Sequence, residues 1–390
     1  MPLTRRGFVR TLGLGGAAVL SSTSIIGRGR EALAWEPGLA QQPDDAHMIK
    51  ISSNENARGP GPKAMDALHG GISTRIGRGY PPDHREELVS TIASVYGIEP
   101  ENVLIATGSG AILQAGVRAF CSATKQLVTA VPSYGMPNQM AEQMEAGLTL
   151  VPTDGLALLN LDAMAVAASG AGMVFLCNPN NPTGTAHSAR AVEDFVRRVK
   201  QRSPATNILI DEAYLDYVMN PAVKTASSLA MEYPGVFITR TFSKAHGMAG
   251  LRLGYAVGQT ETLQAIGRAW GLGSVNTLSA AAGIASLKDP KHIAEERQEN
   301  HRIREFAIAA FKDMGFESTA SETNFIFVNL GRPASEFREA CQEHGVQVGR
   351  DFPPMEQTHS RISLGTMQEM QKAIQVFRQV LAVPSNSAAN

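Results

Sequence analysis

The chain has 390 residues, 43% of them hydrophobic and 18% charged, with a formal net charge of −1. That length supports a large core and two lobes, and the near-neutral balance excludes the basic footprint of a nucleic-acid-binding surface. Three scattered cysteines (Cys121, Cys177, Cys341) are too few for a disulfide framework or a zinc site, and nine histidines lack metal-ligand spacing, so no metal is expected.

The amino terminus reads as an export signal. Thr4-Arg5-Arg6-Gly7-Phe8-Val9-Arg10 precedes a mildly apolar run over 11–20, and Ala32-Leu33-Ala34 supplies an A-x-A cleavage pattern. The run is too short and too glycine-rich to span a bilayer. Paired arginines with Phe8 two places on resemble a twin-arginine signal. Residues 1–34 are therefore expected to be a twin-arginine signal peptide. The mature chain would begin near Trp35, in the periplasm or another extracytoplasmic space, with no membrane span; the alternative is a basic disordered tail on a cytoplasmic protein.

After Pro43, short apolar runs alternate with amphipathic stretches. Residues 103–107 predict a strand ending at Gly108-Ser109-Gly110, where a helix begins. Backbone N–H groups and the positive helix end can hold a phosphate there. An ordinary glycine turn would look the same, and Leu113 stands where a dinucleotide fingerprint needs its third glycine. Further strands are predicted at 127–131, stopped by Pro132, and at 173–177, ending in Asn178-Pro179-Asn180-Asn181-Pro182. Residues 207–210 lead into Asp211-Glu212, 236–239 lead towards Ser243-Lys244, and 253–257 form another strand. Such runs separated by helical segments indicate an α/β fold with a mainly parallel sheet covered on both faces. The polar motifs fall at strand ends, where sheets of this kind bind ligands.

From about Asp289 the texture changes. Residues 291–314 predict a long charged helix, 325–329 a strand, 334–344 a helix, 361–364 a strand and 368–381 a last helix, together an α+β lobe. Residues 384–390 are expected to be a disordered tail.

The chemistry lies in the motifs. Lys244 is flanked by small residues, with Arg252 eight positions on. Lysine is the amine that condenses with an aldehyde. An isolated lysine would be a solvated surface residue, but Ser243 and Arg252 place this one beside donors for a phosphate. Asp211 offers a carboxylate to a pyridine nitrogen, although alone it reads better as a helix N-cap. Asn181, in Asn181-Pro182-Thr183-Gly184, can hydrogen-bond a phenolic oxygen, and Tyr214 can reach the same atom. A condensing lysine, a phosphate cup and an acid for the ring nitrogen are what pyridoxal 5'-phosphate (PLP) requires.

In this order the residues resemble the fold-type I, class I/II aminotransferases, from about Ile49 to Leu381. Ser53-Asn54-Glu55-Asn56 with Gly59-Pro60-Gly61-Pro62, then Tyr80-Pro81-Pro82, then Arg361-Ile362-Ser363-Leu364-Gly365-Thr366 are similar to the histidinol-phosphate aminotransferase branch. The resemblance implies an N-terminal arm over 35–75 contributing to the small domain, a large PLP-binding domain over 76–288 and a small α+β domain over 289–383. The large domain would hold a mainly parallel seven-stranded sheet. By resemblance, Lys244 carries the Schiff base and later shuttles a proton. Asp211 pairs with the pyridine nitrogen, and Asn181 and Tyr214 contact the ring oxygen. Ser109, Gly110, Ser243 and Arg252 hold the phosphate, and Tyr134 stacks on the ring. Tyr80 would reach the phosphate of a neighbouring subunit, implying a homodimer with shared sites. Asn54, Arg361 and Arg58 fall on the substrate side, with Arg361 gripping the α-carboxylate.

The chain departs from the family pattern in three places. The usual Asn-Pro-Tyr-Gly-Pro appears as Asn56-Ala57-Arg58-Gly59-Pro60, an aromatic usual after Lys-Ala is His246, and an arginine-bearing segment is altered around Arg350. Arg58 and Arg350 could receive an acidic or phosphorylated side chain. The implied activity moves an amino group from an L-amino acid, or a histidinol-phosphate-like amine, to a 2-oxo acid by a ping-pong route. A PLP-dependent lyase, decarboxylase or racemase on the same fold stays open, because the reaction depends on which bond stands perpendicular to the ring.

Overall fold

The computed structural model describes residues 48–73, 84–155, 157–269 and 271–382. The signal reading of residues 1–34, Tyr80 and the tail reading of 384–390 lie outside them. In chain order the strands are β1 (Ile49–Ile51), β2 (Val103–Ala106), β3 (Leu127–Val131), β4 (Leu148–Pro152), β5 (Met173–Cys177) and β6 (Asn207–Asp211). They continue with β7 (Val236–Thr241), β8 (Gly254–Gly258), β9 (Glu317–Ser318), β10 (Phe325–Asn329), β11 (Val346–Val348) and β12 (His359–Ser363).

Seven strands form one sheet in the order β2-β8-β7-β6-β5-β3-β4. The pairs from β7 to β4 are parallel, whereas β8 runs antiparallel to both β7 and β2. The sheet is thus mainly parallel, as the apolar runs indicate, and seven-stranded, as the resemblance implies. The reversal of β8 has a local effect. Its amino end, not its carboxyl end, lies at the edge where the parallel strands finish.

Both faces are buried because adjacent residues of a strand point to opposite sides. On β5, Val174 and Leu176 join one cluster with Val128, Ile208, Ile210 and Ile238. Met173, Phe175 and Cys177 join the other with Leu127, Leu209 and Phe237. All five β5 residues are buried, which explains its unbroken apolar sequence. A third cluster is built from Ile51, Ile303, Phe311, Ile326, Val328, Phe337 and Phe377. It packs under a sheet of order β12-β10-β9 and the parallel pair β1-β11. The run 334–344 is realised as the helix Ala334–Glu343, and 368–381 as Met367–Leu381.

Local sequence sets the helix starts. Thr366 and Glu369 form a reciprocal capping box before Met367–Leu381. Ser188 caps Ala189–Arg202 through the Ala191 N–H, and Pro290 opens the long helix Pro290–Asp313. Among the described residues, no helix is long and apolar enough to cross a membrane, and no cluster of three or more His, Cys, Asp or Glu side chains could hold a metal.

Candidate active site

Four motifs meet because four parallel strands end at one edge. The helix Ser109–Phe120 follows β2, Asn181 follows β5, Asp211 is the last residue of β6, and Lys244 follows β7. A cavity of about 450 Å³ opens there. Ser109, Gly110, Tyr134, Asn181, Asp211, Tyr214, Ser243, Lys244, Arg252, Asn54 and Arg361, all singled out in the sequence, line it together.

One end is an anion cradle. The first N–H groups of Ser109–Phe120 have no acceptor within their helix. The reversed β8 brings Gly254 against them: a Cβ on Gly254 would lie 2.2 Å from the Ser109 nitrogen. A Cβ on Gly108, where φ is +89°, would lie 2.4 Å from Arg252 Nη2. Glycine at both positions lets strand, helix end and guanidinium converge. Arg252 Nη1 donates to the Ala249 carbonyl (2.8 Å) and to Ser243 Oγ (3.4 Å).

The opposite end is acidic. Asp211 is 3% exposed. Burial pushes its carboxyl up to about 6, against the hydrogen bonds from Thr239 and the Ala213 N–H and the charge of Lys244. Thr239 Oγ1 donates to Asp211 Oδ1 at 2.9 Å from the facing position on β7. A protonated ring nitrogen would suit such a carboxylate as a partner.

Lys244 lies between these ends. Its Nζ donates to the carbonyls of Asn54 (2.9 Å) and Ser53 (3.2 Å) and stands 5.6 Å from the Tyr214 ring centroid. Burial, with the repulsion of Arg361, lowers its pKa to about 8, so a neutral, nucleophilic amine is accessible near neutrality.

The Tyr214 hydroxyl collects Nδ2 of Asn54 at 3.1 Å and of Asn181 at 3.4 Å. Burial pushes this phenol above its usual range, so it stays a neutral donor. Arg361 Nη1 donates to Asn181 Oδ1 and Nη2 to the Ser52 carbonyl, both at 2.7 Å. Its Nε is buried without a partner. Burial lowers its pKa to about 10, leaving it cationic at neutral pH.

The donor set fits PLP: an anion cradle, a condensing amine, an oxygen-binding pair and a buried carboxylate share one cavity. Arg58 is the correction. It does not line this cavity, because its Nη2 is paired with Glu296 of the long helix. Sequence reasoning missed Thr239, Ser363 and Asn324. Ser363 Oγ accepts from the Asn54 N–H (2.9 Å) and donates to Asn54 Oδ1 (2.6 Å), and Asn324 holds the Asn54 carbonyl (3.1 Å). Period-two alternation on β12 offered the one available signal, since it puts Ser363 on the face of Arg361.

Fold and site together define a PLP-dependent enzyme of the α/β transferase type. Comparison with known proteins gives the family: "Aminotransferase class I and II" matches residues 46–377. A histidinol-phosphate aminotransferase of Symbiobacterium thermophilum is 33% identical over 86% of this chain and 91% of its own length. An aromatic amino acid aminotransferase of Nocardia farcinica is 35% identical over 81% of this chain and 87% of its own. The crystal structure of a Sinorhizobium meliloti histidinol-phosphate aminotransferase with bound PLP superposes with a TM-score of 0.78 at 26% identity, covering 86% of this chain and 91% of that one. The chain belongs to the class I and II aminotransferases, and it is a PLP-dependent aminotransferase.

Proposed function

We propose that Lys244 is the condensing lysine of a transaminase acting on an L-amino acid or a histidinol-phosphate-like amine. The observation that carries this reading is one cavity holding Lys244 between the Ser109–Arg252 cradle and the unpartnered Nε of Arg361. Ser109, Gly110, Ser243 and Arg252 would hold the phosphate, Asp211 the ring nitrogen, and Asn181 with Tyr214 the ring oxygen, with Tyr134 against the ring. Bound PLP supplies an electron sink that makes a bond to the substrate α-carbon labile.

The chain's own residues choose the bond. Arg361 would orient the donor through charge-assisted hydrogen bonds to its anionic group, the α-carboxylate of an L-amino acid or the phosphate of a histidinol-phosphate-like amine. With PLP bound, Lys244 would serve as the base that takes the proton from the substrate α-carbon and carries it for return. Asp211, ionised when paired with the ring, keeps the ring nitrogen protonated. Arg350, exposed at the cavity wall with its guanidinium 4.5 Å over the Phe352 ring, would receive an acidic or phosphorylated side group. Relatives named for histidinol phosphate and for aromatic amino acids support a donor panel built around these two classes.

The same reading includes a homodimer completed by the Tyr80 of a second copy, the division into an arm over 35–75, a large domain over 76–288 and a small one over 289–383, and twin-arginine export of residues 1–34. The test is product analysis with single donors: histidinol phosphate, aromatic, acidic and basic amino acids. One oxo product and one pyridoxamine phosphate per site support transamination. Decarboxylated, eliminated or racemised donor supports the lyase, decarboxylase or racemase reading instead. R361K should lower kcat/KM for the preferred donor by roughly 10²-fold, since lysine cannot make the bidentate contact.

A further inference from the structure

Arg58 stands where the family pattern has a tyrosine, and its partner lies 238 residues away. Glu296 is on the long helix Pro290–Asp313, with 5% of its side chain exposed against 37% for Arg58. A carboxylate so buried requires its cation, and loss of that cation leaves an uncompensated charge.

The pair sits at one end of a brace across the Lys244 loop. Arg58 N–H donates to Asn56 Oδ1 (2.9 Å), and Asn56 Nδ2 donates to the carbonyl of Ala245, next to Lys244 (3.2 Å). The turn closes with Gly59 N–H on the Asn56 carbonyl at 3.1 Å. It lies so close to the loop that a Cβ on Gly247 (φ +71°) would sit 1.9 Å from the Gly59 oxygen. The same long helix fastens the other end. Asn300 and Arg304 donate to the Thr323 carbonyl (3.1 and 3.0 Å), and Asn324 donates to the carbonyls of Asn54 and Glu55 (3.1 and 3.3 Å). At this second anchor the Asn54 carbonyl also holds Lys244 Nζ and the Asn54 amide holds the Tyr214 hydroxyl, and the Ser53 carbonyl, one residue upstream, accepts from the same amine.

We propose that Arg58 is a positioning residue whose ion pair with Glu296 fixes the Asn54–Gly59 segment against the Lys244 loop, setting the reactive geometry of the lysine without touching the substrate. This rests on the assignment of Lys244 as the condensing lysine. With the brace loosened, misalignment of the amine slows steps that involve Lys244, while Arg361 still holds the donor.

The test is a double-mutant cycle on the PLP-loaded, full-length protein with R58Q, E296Q, R58Q/E296Q and R58K. The double variant leaves no buried charge unpaired, so it stays informative if a single variant is poorly folded. Each single change should lower kcat by about tenfold with less than a twofold change in donor KM. Each should also shift the pH midpoint of the bound cofactor's visible absorption, a readout that needs no turnover. The double variant should match the singles, because the two charges act as one unit, and R58K should recover part of the loss. A rise in KM at unchanged kcat would instead make Arg58 a substrate contact and overturn the proposal. Multiplying effects in the double variant, or an unmoved absorption midpoint in every variant, would also overturn it. A wild-type protein that shows no absorption change with pH at all would count against Lys244 itself.

Discussion

At the residue scale, the site places two groups against their solution preferences. Asp211 is the clearer case. Its unfolded carboxyl titrates near 3.8 and its folded one near 6, so folding takes up a proton between these values. The stability of the cofactor-free protein should therefore fall as pH rises from about 4 to about 6 and stay lower above, by about 3 kcal/mol. D211N, which keeps an acceptor for Thr239, should remove that slope and raise the melting temperature of cofactor-free protein at pH 8, while turnover falls at least ~10²-fold because the ring nitrogen loses its counter-charge. Calorimetry across pH, paired with a rate assay, checks both halves. Stability is exchanged here for function, as is common at active sites. Lys244 is displaced in the complementary sense. Its amine is mostly protonated below about pH 8, so the rate of PLP uptake by cofactor-free protein should rise close to tenfold per pH unit up to about 8 and then level. Stopped-flow absorbance measures this directly, and a pH-independent rate would contradict it.

At the element scale, the reversed strand β8 makes the anion cradle. Gly254 opens β8 and passes within backbone contact of the Ser109 N–H, which leaves no room for a side chain. G254A should therefore weaken PLP binding by more than tenfold and cost about 1–3 kcal/mol, because backbone on one side must move. Fluorescence titration and thermal unfolding report the two effects. This element also shows where the sequence stops being readable. The apolar runs of β2, β3, β5, β6, β7 and β8 declare themselves, and with them the positions of Ser109, Asn181, Asp211 and Lys244 at or just after strand ends. The direction of β8 does not, because a continuous apolar run carries no polarity. The partnership of Thr239 with Asp211 needs the strand order as well as the strands. The strands β1, β9 and β11 are two or three residues long, too short for a periodic signal. Edge strand β4 ends in a proline and is partly exposed, which blurs its pattern. Arg58 was legible as a departure but not in its role, since nothing local points to Glu296.

At the scale of the whole molecule, three large buried clusters organise the described chain, two on the faces of the seven-stranded sheet and a third beneath β10 and β12, with a small fourth formed by Tyr214, Tyr217, Ala245 and Phe325. The cavity is lined from one side by strand ends of the large sheet and from the other by Arg361 of β12 and the Ser53–Glu55 segment after β1. A substrate bound to Arg361 therefore engages both. The proposed homodimer and export belong to this scale. Light scattering should give twice the subunit mass, and R5K/R6K should shift the protein from the extracytoplasmic fraction to the cytoplasm. A monomer with full activity would contradict the shared site, and unchanged fractionation would contradict the signal.

Lys244 is the residue proposed to hold the cofactor. Borohydride reduction of the PLP-loaded protein, followed by peptide mass spectrometry, tests it most directly. The pyridoxyl group should be trapped on the peptide that contains Lys244, and prior addition of a productive amino donor should abolish trapping. Label on another lysine, or none on a protein with PLP bound, would contradict the assignment.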